Sequence, residues 1–228
     1  MTDFRLVDFL SGFVSERRLA LINQVLDNRM RYVTVVLEDI FQPQNASAVL
    51  RTCECLGIQD IHIIENKNAY RYSRSVAMGA GKWLQLHKYN NLKNNSLEAI
   101  KQLKSNNYRI VATVPGENCT TLHEFDVSKG KFAIILGSEL DGISDEMRQN
   151  ADEMLTIPMF GFTESFNLSV STAIILHEII SKLKNTVIEW HLTSEEKLCL
   201  KLEWLKGSIK KSELLVKKFY STHPNHDA

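Results

Sequence analysis

Three stretches of the chain carry polar residues whose types and spacing could bind a ligand and act on it. The first, Asn45-Ala-Ser-Ala-Val-Leu-Arg51, places an amide and a guanidinium in a region of helical periodicity. The second, Gly137-Ser-Glu-Leu-Asp-Gly142, is an acidic loop whose glycines let main-chain N–H and C=O groups approach a ligand closely. The third runs from Thr156 to Lys184 and is typical of a strand end, a polar loop around Gly161 and a long helix with Asn167 as its N-cap.

Short apolar runs that alternate with amphipathic segments position these three stretches. The alternation indicates an α/β protein with a mainly parallel sheet and helices on both faces. Ligands bind beyond the carboxyl ends of such strands, so we expect the loops after Val114, Leu136 and Ile157 to form the site. A capping box, Asn95-Ser-Leu-Glu98, predicts a helix over 96–106. The predicted strands are 32–37, 58–65, 83–89, 108–114, 131–136 and 154–157, and the other predicted helices are 44–56, 73–78, 144–150 and 167–184.

The two ends of the chain differ from this alternating region, so the sequence predicts three parts. Residues 1–31 are expected to form a helical N-terminal arm, 32–185 the α/β domain, and 186–228 a basic helical C-terminal extension. Lysines and aromatic residues mix in the last part, where Lys210 and Lys211 are adjacent. Such a charge run is either a solvated helix face or a surface that contacts phosphate. The final six residues, HPNHDA, are expected to fray.

Composition and charge are those of an ordinary globular protein. The 228 residues are 44% hydrophobic and 24% charged, and 27 Lys and Arg balance 27 Asp and Glu. Because the net charge is zero, RNA could bind only through local patches. No apolar run approaches the roughly 18 residues that span a bilayer. The N-terminus lacks a signal-peptide pattern, so we expect no membrane contact and a cytoplasmic location. Four scattered cysteines predict free thiols and no bound metal.

In order and spacing, the three polar stretches together resemble the motifs of SPOUT methyltransferases of the TrmH type. The resemblance covers roughly residues 33 to 185, and three motifs in order are far more specific than any one of them. It implies an enzyme that uses S-adenosyl-L-methionine (AdoMet) to methylate a ribose 2′-hydroxyl of RNA and releases S-adenosyl-L-homocysteine. It also implies a homodimer and a deep C-terminal trefoil knot, a topology that ordinary folds avoid. A Rossmann-type methyltransferase is disfavoured because no glycine-rich turn follows the first strand.

The resemblance implies catalytic roles for Asn45, Arg51, Glu139 and Asn167. Arg51 matches the family's catalytic arginine. A guanidinium stays protonated at neutral pH and is therefore a poor general base. We therefore expect Arg51 to bind the ribose and a neighbouring phosphate and to stabilise the developing alkoxide. Asn45 is expected to hold either its own loop or Arg51, and Glu139 to bond either neighbouring main-chain amides or Arg51. Asn167 is expected to fix the loop of the third motif.

The resemblance also implies which residues contact the ligands. In this family AdoMet is bound mainly by main-chain groups, so the change of the usual Leu to Phe166 is conservative. Gln44 also departs from the family pattern, which often has His at that position. The cofactor contacts carried over by position are Thr113, Leu136, Gly137, Gly142, Ile157, Phe166 and Leu168. The expected substrate contacts are Arg51, Ser165, Lys210 and Lys211.

The arrangement of the chain around its α/β region bears on which RNA is the substrate. Family members that act on ribosomal RNA often carry an extra N-terminal domain, whereas a short arm precedes Val33 here. A short helical arm and a basic tail resemble those of family members that methylate guanosine-18 in the D-loop of tRNA. Three alternatives stay open: 2′-O-methylation of ribosomal RNA, RNA binding without catalysis on the same scaffold, and an α/β domain that acts on a nucleotide or small molecule.

Overall fold

The computed structural model describes residues 3–116 and 118–222, so the HPNHDA segment for which fraying is predicted lies outside the described residues. The chain divides into two compact units. One is Met30–Trp190, and the other combines both ends of the chain, Met1–Arg29 and His191–Ala228. The division into three parts at residues 31 and 185 stays a prediction.

The larger unit is built on a seven-stranded sheet with the order β3-β2-β1-β6-β4-β7-β5. All of its strand pairs are parallel, which brings the carboxyl ends of the strands to one edge. The central strands are buried along their whole length, as expected for parallel strands covered on both faces. This confirms the predicted α/β class, although β5 was not predicted and the trefoil knot stays a prediction. The strands are β1 Val33–Glu38, β2 Asp60–Ile64, β3 Gln85–Tyr89, β4 Arg109–Thr113, β5 Thr120–Thr121, β6 Phe132–Leu136 and β7 Glu153–Thr156.

Helices cover both faces of this sheet. Val49 and Leu50 of α3 pack with Ile175 and Ile179 of α7 in one buried cluster. A second cluster holds apolar side chains of α5 together with Met147 of α6. None of the helices within the described ranges is both long and apolar enough to cross a membrane. The helices are α1 Phe4–Ser11, α2 Glu16–Leu26, α3 Pro43–Cys55, α4 Arg74–Ala77, α5 Asn95–Ser105, α6 Asp145–Asn150, α7 Leu168–Lys184, α8 Ser194–Ser208 and α9 Ser212–Thr222, with a 3-10 turn at Ala80–Lys82.

Capping side chains begin α6 and α7 where the sequence predicts. Asn167 caps α7 by accepting a hydrogen bond from the Ser169 N–H at 2.9 Å. Ser144 caps α6. The capping box at Asn95 is wrong, because Asn94 is the N-cap of α5 and accepts from the Leu97 N–H at 3.1 Å. Asn95 is buried instead, where its amide donates to the Glu65 carbonyl and its carbonyl accepts from the Leu92 N–H.

The smaller unit contains α1, α2, α8 and α9. Its N-terminal part is two helices where the sequence suggests one, because Ser15 begins a new helix by capping the Arg18 N–H. The Phe9 and Phe219 rings lie 5.3 Å apart, so the first and last helices share a core. A capping box of Thr193 and Glu196 opens α8. Both ends of the chain therefore contribute to a single packed unit.

A buried histidine of β2 lies next to β3 in the larger unit. His62 is 6% exposed, and its Nδ1 is 2.8 Å from the Tyr89 hydroxyl. The His87 ring stacks on it at 4.7 Å and bonds the Asp60 carboxylate. Burial, with help from the neighbouring His87 charge and against the pull of Asp60, lowers the pKa of His62 from 6.5 to about 4.

This histidine should make the fold weaker in mild acid. Between pH 6.5 and about 4, His62 is protonated in the unfolded protein but stays neutral in the folded protein. The free energy of unfolding therefore falls as the pH falls. The difference between the two pKa values corresponds to roughly 3 kcal/mol of folding stability, and all of it is lost only when the pH falls below the pKa of His62 in the folded protein. Urea unfolding at pH 7 and pH 4.5 measures it. His62→Gln should flatten the dependence in this window, and an unchanged dependence would exclude His62 as its source.

Candidate active site

The carboxylate of Glu139 joins the second motif to the first at the carboxyl edge of the sheet. One of its oxygens accepts the Phe41 N–H at 3.0 Å, and the other accepts the Gln42 N–H at 3.2 Å. That second oxygen also accepts the side-chain amide of Asn45 at 2.8 Å. Burial raises the pKa of Glu139, but the bonds from Asn45, Phe41 and Gln42 outweigh it and hold the pKa below the ordinary value. The carboxylate therefore stays charged and fixes the turn between β1 and α3.

Asn45 then joins the first motif to the third. It lies in the first turn of α3 and is 6% exposed. Its carbonyl oxygen accepts the side-chain amide of Asn167 at 3.1 Å. Asn167 in turn caps α7 through its own carbonyl oxygen, which also accepts the Ser169 hydroxyl at 2.6 Å. Glu139, Asn45 and Asn167 therefore form one hydrogen-bonded chain across the three motifs.

Arg51 stands apart from this chain. It is exposed on α3, and within the described residues it forms no hydrogen bond or ion pair. For Asn45 and Glu139, the structure favours the loop-holding alternative over direct support of Arg51. A guanidinium without a carboxylate partner keeps all five donors free for a ligand. Its position on the same helix as Asn45 means that the network fixes the backbone from which Arg51 projects.

The loop between Gly137 and Gly142 is held tightly by its own main chain. Ser138 and Gly142 exchange two main-chain hydrogen bonds of 2.9 and 3.1 Å. A Cβ added at Gly137 would lie 2.1 Å from the Gly142 carbonyl carbon, which no side chain permits. At Gly142, where φ is +68°, a Cβ would meet nothing within 4 Å. The main chain is tightly packed at Gly137, whereas no atom covers it at Gly142. This open stretch of backbone suits a planar ligand that lies against it.

Gly137→Ala should therefore open this loop. We expect affinity for AdoMet to fall by about tenfold or more, because the methyl group and the backbone of Gly142 cannot occupy the same space. Calorimetric titration with AdoMet measures the loss. Gly207→Ala, in α8 and outside the three motifs, is the matched control, since a Cβ there meets nothing within 4 Å. Equal affinities for the two variants would show that the loop does not contact the ligand.

The remaining expected cofactor contacts lie at the carboxyl ends of three neighbouring strands or just beyond them. The Thr113 hydroxyl donates to the Ile135 carbonyl at 2.8 Å, and the Leu136 side chain is buried in the core. Their side chains are therefore engaged inside the fold and offer a ligand only main-chain atoms. Ile157 and Leu168 are partly buried, whereas Phe166 is 43% exposed.

The expected substrate residues are all exposed. Ser165 lies in the loop before α7, and within the described residues it makes no hydrogen bond. Lys210 and Lys211 form the turn between α8 and α9, where Lys211 has a φ of +57°. These two lysines belong to the smaller unit. Across the described part of the chain, no group of three His, Cys, Asp or Glu side chains could hold a metal ion.

Comparison with known proteins identifies the family of this chain. Residues 32–177 match the SpoU rRNA methylase family. The chain belongs to this family. A tRNA (guanosine(18)-2′-O)-methyltransferase of Borreliella burgdorferi is 40% identical over 209 residues, which cover 92% of this chain and 94% of that protein. A protein of the same name from Thermus thermophilus is 34% identical over 72% of this chain and 82% of its own.

A solved structure agrees with the SpoU family assignment. The A. aeolicus TrmH/SpoU tRNA modifying enzyme is 28% identical and superimposes with a TM-score of 0.74. The match covers 86% of this chain and 98% of that one. The resemblance seen in the three motifs is thereby confirmed, and it extends over nearly the whole chain.

Two acidic residues that the sequence analysis passed over organise this edge of the SpoU-family fold. Glu38 ends β1 and is 1% exposed, and its carboxylate accepts the Ser144 N–H at 2.8 Å and the Ser144 hydroxyl at 2.7 Å. Asp39 follows with a φ of +52° and accepts three main-chain N–H groups of residues 66–68. An acidic pair directly after a buried strand was the signal that could have identified them.

Proposed function

We propose that this protein is an AdoMet-dependent methyltransferase that acts on the ribose 2′-hydroxyl of guanosine-18 in tRNA. The observation that carries the proposal is the 40% identity to a tRNA (guanosine(18)-2′-O)-methyltransferase over 92% of this chain. The hydrogen-bonded chain of Glu139, Asn45 and Asn167 supports it, because it joins the three motifs that the resemblance assigns to catalysis. A cytoplasmic location stays a prediction.

The chain's own groups fit AdoMet at the carboxyl edge. Main-chain atoms at Leu136, Gly137 and Gly142 would hold its nucleoside, with Thr113, Ile157, Phe166 and Leu168 around them. The uncovered backbone at Gly142 is the feature that fits such a ligand. When bound, AdoMet supplies an electrophilic methyl group on a sulfonium.

Arg51 is the residue that would act on the acceptor. Its planar fork can donate to the ribose oxygen and to a phosphate oxygen together, which a single ammonium does less well. The contact to the 2′ oxygen strengthens as that oxygen gains negative charge, so it favours the transition state over the ground state, whereas the phosphate contact holds the guanidinium in place. The Glu139–Asn45–Asn167 chain acts by positioning: it fixes the start of α3, and with it the direction from which Arg51 approaches.

A homodimer belongs to the same proposal. On α7, Val170 is 46% exposed and Ile174 is 36% exposed, one helical turn apart. Beside them lies an open cavity of about 670 Å³. Apolar side chains left bare along a long helix are typical of a surface that packs against a second copy. The cavity is lined by Leu122, His123, Ile157, Pro158, Ala173, Ile174, His177 and Glu178.

Lys210 and Lys211 would contact tRNA phosphates. Reversing both charges with Lys210→Glu and Lys211→Glu should weaken tRNA binding by about tenfold or more and flatten its dependence on salt, because two phosphate contacts become repulsive. Affinity for AdoMet should not change. Fluorescence anisotropy with labelled tRNA at several salt concentrations measures the effect. Unchanged tRNA affinity would mean that the turn between α8 and α9 is only a solvated surface.

Methyl transfer to matched RNA substrates tests the proposed function. The purified protein is given AdoMet with a labelled methyl group and either a tRNA transcript or fragments of ribosomal RNA. We expect label in tRNA and little in ribosomal RNA. Label in the ribosomal fragments alone would favour the second candidate, which the description of the SpoU rRNA methylase family supports. RNA binding without transfer to either substrate would favour a non-catalytic protein on the same scaffold.

A further inference from the structure

The loop after β2 has a composition and an attachment that neither the fold nor the three motifs explain. Residues 66–82, NKNAYRYSRSVAMGAGK, contain four cations and no acidic residue, in a chain whose charges balance overall. Arg71, Tyr72 and Arg74 are exposed. The loop lies in the larger unit and follows a parallel strand, so it projects from the carboxyl edge that carries the site.

The loop is fixed at its start by Asp39. One oxygen of that buried carboxylate accepts the N–H groups of Asn66, Lys67 and Asn68 at 2.7, 2.8 and 3.2 Å. The Asn68 side chain also donates to the Asp39 carbonyl at 2.9 Å. Asp39 lies two residues before Phe41, which Glu139 holds. The start of the loop is thus tied to the turn that leads into α3.

The loop is fixed again near its middle by α3 itself. The Ser73 N–H donates to the Ser47 hydroxyl at 2.7 Å, and that hydroxyl donates to the Pro43 carbonyl at 2.5 Å. Ser47 and Arg51 are four residues apart on α3, so they lie on the same side of the helix one turn from each other. Ser73, which lies between Tyr72 and Arg74, is therefore held against the side of α3 that carries Arg51.

The exposed side chains of this segment have the chemistry that binds RNA. Within the described residues, Arg71 and Arg74 form no ion pair, so their charges are free for a phosphate. The Tyr72 ring stacks on Tyr70 at 6.3 Å with an interplanar angle of 15°, and 46% of Tyr72 is exposed. A ring supported on one side and open on the other suits stacking of a base. Phosphate-binding cations beside a stacking ring fit a polynucleotide better than an acidic protein.

We propose that the segment from Lys67 to Arg74 is an RNA-positioning surface: Arg71 and Arg74 bind phosphates, and Tyr72 stacks a base next to the target nucleotide. The proposal rests on the proposed function, because it places the substrate of that same site. It assigns to these residues the task of presenting the ribose to Arg51. Lys67 links the surface to the loop of the second motif, since its ammonium pairs with Asp141 at 3.0 Å.

The test compares two variants that lose the same charge. Arg71→Gln with Arg74→Gln removes the cations of the surface, and Lys129→Gln with Lys131→Gln removes two exposed cations that precede β6 at the opposite edge of the sheet. Binding of labelled tRNA is followed at several salt concentrations, with kcat and KM for methyl transfer. The first variant should raise Kd and KM by about 10- to 100-fold, lower the salt slope by roughly one to two, and leave kcat within about threefold. The second should resemble wild type.

Substitution at Tyr72 tests the stacking role and does not alter charge. Tyr72→Ala should weaken tRNA binding by about tenfold, whereas Tyr72→Phe should keep it, because the ring and not the hydroxyl makes the contact. AdoMet affinity is measured on every variant as a control for folding of the site. It should equal that of wild type.

The outcomes separate this surface from the proposed function. Wild-type transfer to tRNA together with unchanged Kd, KM and salt slope in the Arg71 and Arg74 variant would overturn the RNA-positioning surface and leave the proposed function standing. Wild type that binds tRNA without methylating it, while the variant loses binding, would uphold the surface and overturn the enzyme. A wild type that binds no RNA and instead captures acidic proteins would overturn both.

Discussion

Replacing Arg51 with alanine is expected to lower methyl transfer to tRNA by about 10²- to 10³-fold or more while AdoMet affinity stays within about twofold. The expected loss is that of one preorganised donor to a developing oxyanion. AdoMet should be unaffected, because the expected cofactor contacts lie at other positions and Arg51 is bonded to none of them. Single-turnover rates with saturating AdoMet measure the chemical step.

Two further variants distinguish this role from a general loss of positive charge. Arg51→Lys should recover only part of the rate, because an ammonium cannot bind two oxygens in one plane. Arg148→Ala removes another exposed arginine, on α6, and should leave the rate near that of wild type. If Arg51→Ala retained full activity, the assignment of this residue to the acceptor hydroxyl would be wrong.

Asn45→Asp is expected to disrupt the network that joins the three motifs. The new carboxylate keeps an oxygen that accepts from Asn167. Its other oxygen faces the Glu139 carboxylate, in the place of the wild-type amide nitrogen that donates to Glu139 at 2.8 Å. Two partly buried carboxylates at that distance should cost about 2–4 kcal/mol at pH 7. They also raise each other's pKa, so lowering the pH to 5 should restore part of the loss. Urea unfolding at the two pH values, with transfer rates at pH 7, measures both effects.

The compensating change and a neutral control make this result specific. Glu139→Gln added to Asn45→Asp returns a donor and removes one charge, and it should recover part of the stability that Asn45→Asp loses. Recovery is incomplete, because the Gln42 N–H shares that oxygen of Glu139 with Asn45 and would face the donating NH₂ group of the new glutamine. Asn91→Asp, at an exposed position, should change stability by less than about 0.5 kcal/mol. Equal effects of Asn45→Asp and Asn91→Asp would show that the Glu139–Asn45 bond does not hold the site.

The elements that sequence reasoning placed correctly are those with local signals. Buried β-branched runs give β1 and β6, and the polar cap at Asn167 gives the start of α7, because both depend on neighbours in the chain. The N-cap of α5 was predicted at Asn95 and not at Asn94, because local signals alone do not distinguish the two positions. Asn94 and Asn95 are equally good caps locally, and only the bonds of Asn95 to Glu65 and Leu92 decide between them.

The links within the site could not be derived from local pattern. Glu139 lies more than 90 residues from the Phe41 and Gln42 amides that it accepts, and Asn167 lies 122 residues from Asn45. Such bonds depend on strand order, which brings β1 beside β6 and their loops together. The resemblance named these residues, but it left open whether Glu139 holds the backbone or Arg51. Asp39 was missed because its role depends on a left-handed turn and on amides in the next loop.

Mass spectrometry of the nucleosides of a modified tRNA tests the central claim most directly. The protein is incubated with AdoMet and either a tRNA transcript or the same tRNA with 2′-deoxyguanosine at position 18. If the site presents a ribose oxygen to the methyl group, the first substrate gains one 2′-O-methylguanosine at position 18 and the second gains none. A methyl group on a base, or equal methylation of the deoxy substrate, would contradict an enzyme that acts on that sugar hydroxyl.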